Sequence, residues 1–244
     1  MRENYTLIRL YLEANLSGGT KLELSKGHRH YLTNVLRKSA GDTLRVFNCK
    51  DGEWLSQISD VTKKSVSINI TNILREPKPC PDITLCFAPL RKHRNAFIAE
   101  KATELGVTML QPVITQRTQF PKLNVDKMRV QVIEAAEQTE RLDIPKLGVP
   151  MTLDEMLRAY EGRTIFFADE GGGARAAMDA IQNAQPAAIL IGPEGGFTDA
   201  ERETLRASDN VVTISLGPRI LRADTAALSA LTLWQSVHGD WHDG

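Results

Sequence analysis

The chain has 244 residues, 42% of them hydrophobic, and its 30 basic side chains balance 30 acidic ones. This size and composition are ordinary for a soluble globular protein with one large core or two smaller ones. No apolar run reaches the roughly 18 residues of a membrane span, no secretory signal opens the chain, and the three cysteines lack C-x-x-C spacing, which argues against a zinc site or disulfide framework. We therefore expect a cytoplasmic protein with no metal and no membrane contact.

The charge is unevenly distributed along the chain. Residues 1–75 contain 12 Lys and Arg against 7 Asp and Glu, a net charge of +5, and the rest of the chain carries the opposite excess. A basic N-terminal module beside an acidic remainder is the asymmetry expected when one part holds a polyanion.

The first 74 residues predict a small β-barrel. Segments that favour strands lie between Tyr5 and Ile73, and Asp51-Gly52 is a strong hairpin signal between two of them. A short helix is predicted from His28 to Lys38, with Leu32, Val35 and Leu36 on its apolar face. Composition alone does not indicate the function of this barrel.

Three prolines between residues 75 and 82 predict a stiff linker and place the domain boundary there. The remainder, residues 83–244, alternates predicted strands with helical stretches such as Phe97–Leu105 and Val125–Glu140. Alternation of this kind is typical of a mostly parallel sheet covered on both faces. The predicted strands are Ile83–Ala88, Met109–Ile114, Thr164–Ala168, Ala187–Ile191 and Val211–Leu216.

A strand, a glycine loop and a helix occur twice in succession between Ala187 and Leu231. The first loop, Gly192–Gly196, precedes a T-x-x-E capping box made by Thr198 and Glu201. The second loop, Gly217–Arg222, precedes a helix that Asp224 or Thr225 is expected to cap. Both loops should lie side by side at the carboxyl ends of neighbouring strands, where open α/β sheets bind ligands.

The two loops do not suit a polyphosphate. They match neither the dinucleotide fingerprint nor a Walker A loop, and Glu194 would repel phosphates. Backbone groups between the apolar walls of Ile191, Leu216, Ile220 and Leu221 suit an adenine with an uncharged or cationic tail. The alternative is that these glycines only make tight turns.

Cationic side chains follow two of the predicted strands. Arg91-Lys92-His93-Arg94 lies between a strand and a helix, and it makes either a phosphate clamp or a solvated basic turn. Arg117, after the next strand, could extend the same surface.

Six segments of the sequence carry a family resemblance. The segments LIGPEGGFTDAE and LGPRILRADTAAL resemble the paired cofactor loops of the RsmE family, the uridine-N3 methyltransferases of small-subunit rRNA in the SPOUT class. Further matches are HYLTNVLRKSAGDTL, KHRNAFIAEKATELGV, PVITQRTQF and EAAEQTERLDIP, so the resemblance covers nearly the whole chain. One departure is Asp224, which stands where many members have Glu.

The resemblance implies an α/β fold, in which a SPOUT-type parallel sheet with a trefoil knot follows a PUA-like barrel that binds RNA. It also implies a homodimer, to which the apolar helix Ala226–Val237 could contribute a surface with Leu228, Leu231 and Trp234, although packing in the core explains this apolar helix as well. The implied cofactor is S-adenosylmethionine, and the implied substrate is a uridine of 16S rRNA in the assembled small subunit. The expected cofactor-binding residues are Ile191, Gly192, Gly195, Gly196, Leu216, Gly217, Ile220, Leu221 and Ala226.

Methylation at N3 requires loss of a proton from a nitrogen whose pKa lies well above neutrality. Arg219 or Arg222 is expected to stabilise the uridine anion, with Glu194 or Asp224 as proton acceptor or orienting group. The predicted helix that begins at Val125 ends near three polar residues that are also expected to belong to the site: Glu137, Gln138 and Arg141. The residues expected to contact RNA are His30, Arg37, Lys38, Arg45, Arg91, Lys92, Arg94 and Arg117.

Two other functions are compatible with parts of the pattern. A non-catalytic RNA-binding or ribosome-assembly factor would use the glycine loops only as turns, although a pure binder has no need of two apolar glycine loops with embedded Arg and Glu. A Rossmann-type nucleotide enzyme is disfavoured because the fingerprint spacing is missing.

Overall fold

The computed structural model describes residues 4–182 and 186–243, without the side chains of residues 242 and 243. The chain divides into two compact units. The first contains Met1–Pro79 and Ala136–Ile144, and the second contains Cys80–Ala135 and Pro145–Gly244. Within the described residues, no helix combines the length and the apolar character that a bilayer crossing requires.

The first unit contains a five-stranded sheet with the order β1-β3-β4-β5-β2. Only the pairing of β1 with β3 is parallel. The predicted hairpin is confirmed, because Asn48 of β3 pairs with Gly52 of β4 and Gly52 has a φ of +78°. The strands are β1 Arg9–Tyr11, β2 Lys21–Glu23, β3 Thr43–Asn48, β4 Gly52–Val61 and β5 Val66–Arg75.

The helical segment of this unit differs from the prediction. Helix α1 covers Lys26–His30 and continues into a π-helical turn over Tyr31–Val35. It begins early because the Ser25 hydroxyl accepts a hydrogen bond from the His28 amide, a typical N-cap. Within the turn, Leu32 is fully buried, whereas Val35 is 58% exposed, so the predicted apolar face is only partly correct.

The second unit is built on a parallel sheet with the order β11-β13-β10-β12-β6-β7-β8, and β9 also pairs with β7. Strand β10 therefore lies between β12 and β13, the two strands that precede the glycine loops. The expectation that β12 and β13 are direct neighbours is wrong. The strands are β6 Ile83–Phe87, β7 Met109–Ile114, β8 Lys146–Leu147, β9 Met151–Thr152, β10 Thr164–Ala168, β11 Arg175–Ala176, β12 Ala187–Ile191 and β13 Val211–Ser215.

The helices of the second unit follow the predicted alternation, with different ends. Helix α2 begins five residues before the predicted start, and α3 ends at Gln138, two residues before the predicted end. The helices are α2 Lys92–Glu104, α3 Val125–Gln138, α4 Leu153–Ala159, α5 Ala177–Ala180, α6 Asp199–Ala207 and α7 Ala223–His238, followed by a 3-10 turn over Asp240–Asp243.

The capping predictions have different outcomes. The capping box before α6 is confirmed, because the Thr198 hydroxyl accepts from the Glu201 amide and the Glu201 carboxylate accepts from the Thr198 amide at 2.8 Å. The prediction that Asp224 or Thr225 caps α7 is wrong. The helix begins at Ala223, since the Arg222 carbonyl already accepts the first helical bond from the Ala226 amide.

Two of the three apolar residues named for a dimer surface on α7 lie in the core. Leu231 and Trp234 have no exposed surface within this chain and cannot contribute to such a surface, whereas Leu228 is half-buried and Val237 is 39% exposed. Burial of side chains as large as Leu231 and Trp234 stabilises the second unit by about 1.5–3 kcal/mol each.

Candidate functional site

Three loops form a cavity at the carboxyl ends of β10, β12 and β13. Because β10 lies between the other two strands, the loop after it completes the wall between the two glycine loops. The cavity has a volume of about 350 Å³ and adjoins a second one of about 300 Å³, with which it shares Ala168, Asp169, Glu170, Ile220, Leu221 and Ala226. These volumes are in the range of small-molecule sites.

All but one of the predicted cofactor residues line these cavities. Those in the first cavity are Ile191, Gly192 and Gly196, those in the second are Leu216 and Gly217, and Ile220, Leu221 and Ala226 line both. The exception is Gly195, which lines neither. A Cβ placed on Gly195 would lie 3.5 Å from the Cβ of Arg117, an ordinary contact.

Two glycines of the first loop are required by close approach and backbone conformation. A Cβ on Gly192 would lie 2.4 Å from the Phe197 ring. Gly196 has a φ of +66°, and a Cβ there would lie 2.4 Å from the Glu170 carboxylate. The absence of side chains at Gly192 and Gly196 therefore allows the backbone of the first loop to line the cavity.

The loop after β10 contributes residues that sequence reasoning missed. Asp169 is almost fully buried, and its carboxylate accepts from Arg206 Nε at 2.9 Å and from the Gly171 amide at 2.9 Å. Glu170 lies 3.2 Å from Arg202 of α6. The run Ala168-Asp169-Glu170 followed by three glycines after a buried strand is a signal that could have pointed to this loop.

The predicted catalytic residues also border the cavity. Glu194 and Arg222 line its first part and Arg219 its second part. Both arginines are exposed, and no ion-pair partner for either is found among residues 4–182 and 186–243. Two cationic side chains thus border the cavity without an ion pair in the described part of the chain, although the carboxylates of Glu170 and Glu194 also line it.

Asp224 and Glu194 share a cationic partner. Nη1 of Arg94, in the first turn of α2, lies 2.5 Å from Oδ2 of Asp224, and its Nε lies 3.4 Å from Oε1 of Glu194. The neighbouring cations Arg91 and Lys92 are exposed. Nη1 of Arg117 donates to the carbonyls of Gly195 at 3.0 Å and Phe197 at 3.3 Å.

One expected RNA contact in the first unit is wrong. Arg45 is 4% exposed, and its guanidinium bonds both carboxylate oxygens of Glu140 at 2.7 Å. It also pairs with Glu53, so its charge is used inside the unit. His30 and Arg37 are exposed, and Lys38 lies 4.0 Å from Asp42.

The first unit also has a group of surface cations that sequence reasoning did not predict as RNA contacts. Lys26, Arg29, Lys63 and Lys64 have no ion-pair partner in the part of the chain that is described. Nη1 of Arg29 donates to the Lys63 carbonyl at 2.7 Å, which joins α1 to the β4–β5 turn. We call these four residues the α1–turn cations. The adjacent pair Lys63-Lys64 in a turn is the sequence feature that could have indicated this group.

Comparison with known proteins identifies the family. A model described as RNA methyltransferase domain matches residues 76–235, and one described as RNA methyltransferase PUA domain matches residues 28–71. The protein of Rickettsia conorii named ribosomal RNA small subunit methyltransferase E is 36% identical over 91% of this chain and 93% of its own length. The chain belongs to the RsmE family.

Solved structures of RsmE-like proteins agree with both units. A methyltransferase of Legionella pneumophila, in complex with the bound cofactor SAM, is 33% identical, covers 96% of this chain and 99% of its own, and has a TM-score of 0.86. A ribosomal RNA small subunit methyltransferase E from Neisseria gonorrhoeae bound to S-adenosyl methionine is 27% identical and has a TM-score of 0.85. The match covers 96% of this chain and 99% of the other. The predicted PUA-like unit followed by a parallel sheet is confirmed.

Within this RsmE family member, the motif around Glu137 makes contacts inside the first unit. Oε1 of Glu137 accepts from the Tyr11 amide at 2.9 Å, and Arg141 pairs with Asp143 at 2.7 Å. These contacts lie within the first unit and remote from the three loops in sequence. The expectation that Glu137, Gln138 and Arg141 belong to the site stays a prediction.

Proposed function

We propose that this chain methylates N3 of a uridine in 16S rRNA, with S-adenosylmethionine bound in the three-loop cavity. The observation that carries the proposal is the position of Arg219 and Arg222, two exposed cations that border a cavity lined by glycine backbone. The names of the relatives support the RNA substrate, and the cofactors of the two solved neighbours support the ligand.

The residues of the cavity fit this cofactor. Ile191, Leu221 and Ala226 offer apolar surface for an adenine, while the backbone of Gly192 and Gly196 can approach polar atoms closely. Glu170 and Glu194 place negative charge in the wall, which suits a cationic ligand and disfavours a polyphosphate. When bound, the cofactor supplies an electrophilic methyl group on a sulfonium.

The chain itself must handle the proton of uridine N3. A cation beside the base lowers the cost of forming the uridine anion, and we assign this role to Arg219 or Arg222. Glu194 is the proton acceptor or orienting group in this scheme, because it borders the cavity and is partly exposed. Asp224 is held more tightly by Arg94, which makes it the weaker candidate.

The RNA contacts are assigned to polar side chains at the surface, most of them cationic. In the first unit these are the α1–turn cations, of which Arg29 is half-buried, together with the imidazole of His30, the exposed Arg37 and the half-buried Lys38, and in the second unit they are Arg91 and Lys92. Such side chains neutralise phosphates and position the substrate without reading its sequence. Because N3 is hidden in paired uridine, the target must be unpaired or flipped out of a stack.

Other expectations stay predictions. A trefoil knot in the second unit, a homodimer and an assembled small subunit as substrate follow from the family resemblance, whereas a cytoplasmic location and domain limits at 1–74 and 83–244 follow from the sequence pattern. Light scattering of the purified protein tests the dimer.

The test of function is methyl transfer to RNA of defined origin. Small subunits and naked 16S rRNA lacking the modification are incubated with the protein and S-adenosylmethionine, and the nucleosides are analysed by mass spectrometry. We expect N3-methyluridine at one position, with subunits preferred over naked RNA. A protein that binds S-adenosylhomocysteine but transfers no methyl group to either substrate would contradict the assigned reaction.

A further inference from the structure

Arg94 is largely buried between two carboxylates rather than presented to solvent. Its side chain is 16% exposed and lies between Asp224 at the start of α7 and Glu194 of the first glycine loop. These two carboxylates come from chain segments thirty residues apart that both border the cavity. One guanidinium therefore links the first glycine loop to the start of α7.

Arg117 holds the same loop from the other side of its backbone. Its Nη1 donates to the carbonyls of Gly195 and Phe197, which flank the required Gly196. The adjacent Gln116 amide donates to Glu201 of the capping box at 2.8 Å. The loop after β7 thus fixes both the first glycine loop and the helix that follows it.

These partners determine what the two arginines can do. A phosphate that bound Arg94 would have to displace Asp224 or Glu194, and it would approach two carboxylates that repel it. Arg117 is exposed, but the Nη1 donor that it directs at the two loop carbonyls is likewise in use. Arg91 and Lys92, in contrast, are exposed and have no carboxylate partner in the part of the chain that is described, and the Arg91 guanidinium lies over the Phe120 ring, 5.8 Å from its centroid.

We propose that Arg94 and Arg117 are positioning residues of the cofactor loop, which act on cofactor affinity through Glu194, Asp224 and the Gly195–Phe197 backbone and do not bind RNA phosphate. The proposal rests on the function proposed above, because it assumes that the cavity binds S-adenosylmethionine. It reassigns two residues that sequence reasoning places on the RNA surface.

The test compares Arg94→Gln and Arg117→Gln with Arg91→Gln and Lys92→Gln. Affinity for S-adenosylhomocysteine is measured by calorimetry, and the KM for rRNA and its dependence on salt are measured by methyl transfer. The first pair should bind S-adenosylhomocysteine at least about tenfold more weakly, the scale of one charge-assisted hydrogen bond, with the KM for rRNA unchanged. Arg91→Gln and Lys92→Gln should raise the KM for rRNA and leave the affinity for S-adenosylhomocysteine unchanged.

An increased KM for rRNA and a reduced salt dependence in Arg94→Gln, with normal affinity for S-adenosylhomocysteine, would overturn the proposal. Circular dichroism identifies a variant that fails to fold. If Arg94→Gln does not fold, Arg94→Lys replaces it in the test, because lysine keeps the charge but not the planar fork that reaches both carboxylates. We expect Arg94→Lys to recover only part of the affinity.

A double-mutant cycle separates positioning from a general loss of structure. If Arg94 acts through Asp224, Arg94→Gln should cost less cofactor affinity in an Asp224→Asn background than in the unaltered protein. Additive losses would contradict this link. If the unaltered protein neither binds S-adenosylhomocysteine nor methylates rRNA, the proposed function fails; if it does both and Arg94→Gln keeps full affinity, only the present inference fails.

Discussion

Arg9 and Glu53 form a buried ion pair in the first unit, with 2.6 Å between Nε and Oε1 and each side chain 2% exposed. The same guanidinium donates to the carbonyls of Ala136 and Arg141 at 2.7 Å. Arg45, Arg75 and Glu140 complete the cluster. One buried side chain thereby joins β1 to the residues 136–144 that belong to this unit.

Replacing Arg9 by methionine should destabilise the protein strongly. The substitution leaves buried carbonyls and a carboxylate short of donors, and breaking a buried pair costs about 3–5 kcal/mol. Lys21→Met is the matched control, because Lys21 and Asp60 lie 3.6 Å apart with both side chains more than half exposed, and such pairs contribute less than about 1 kcal/mol. Urea unfolding followed by circular dichroism measures both, and equal losses would contradict the assignment.

Glu53 should make stability depend on pH in the acid range. Burial opposes its ionisation, but hydrogen bonds from Arg75 and Arg9 outweigh this and hold the pKa of Glu53 below its ordinary value of 4.5. A group with a lowered folded pKa stabilises the protein fully above its unfolded pKa, and that contribution is lost as the pH falls through the folded pKa.

The free energy of unfolding lost in Glu53→Gln should therefore be largest near neutral pH and shrink below about pH 4.5. Urea titrations of both proteins across this range provide the measurement. Glu23→Gln, at an exposed position of the same unit, should give a small loss that does not vary. A loss for Glu53→Gln that stays constant into acid would refute the predicted linkage.

Gly196→Ala should weaken binding of S-adenosylhomocysteine, while Gly195→Ala should have little effect. Alanine at position 196 is strained at a φ of +66° and crowds the Glu170 carboxylate, whereas a Cβ at position 195 meets only an ordinary contact. The free loop can relieve this backbone strain of about 1–2 kcal/mol by changing its conformation, and binding must then restore it, so the expected loss of affinity is about fivefold to thirtyfold. Calorimetry on both variants decides the matter, and equal affinities would argue against a shaped first loop.

Lys63→Ala and Lys64→Ala should lower the salt dependence of RNA binding. Each phosphate contact with single-stranded RNA contributes about 0.7 to the slope of log K against log salt, so the double variant should lose about 1.4. Lys21→Ala is the control, because Asp60 already pairs with that amino group. An unchanged slope in the double variant would place the RNA on another surface of the unit.

Arg219→Ala should reduce kcat and leave the affinity for S-adenosylhomocysteine unaffected. Loss of one group that stabilises a developing anion lowers the rate by about a hundredfold to a thousandfold. Single-turnover methylation of rRNA gives the rate, and Arg158→Ala, on the exposed side of α4, should leave it unchanged. Full methylation by Arg219→Ala would transfer the role to Arg222.

The sequence by itself determined the elements of the second unit and the two glycine loops. Strand patterns bounded by turn residues predict Met109–Ile114, Thr164–Ala168 and Ala187–Ile191 with the observed ends, and in Ala187–Ile191 burial on both faces is written into five consecutive apolar residues. The capping box of Thr198 and Glu201 is equally local.

Only the tertiary structure decided which strands are neighbours and which charges are paired. The insertion of β10 between β12 and β13 brings Asp169 and Glu170 to the cavity, and no local pattern encodes strand order. Arg45 and Arg94 look like surface cations in sequence, but their carboxylate partners lie 95 and 130 residues away. Burial and ion pairing depend on such long-range contacts, so a residue's type and its sequence neighbours cannot fix its role.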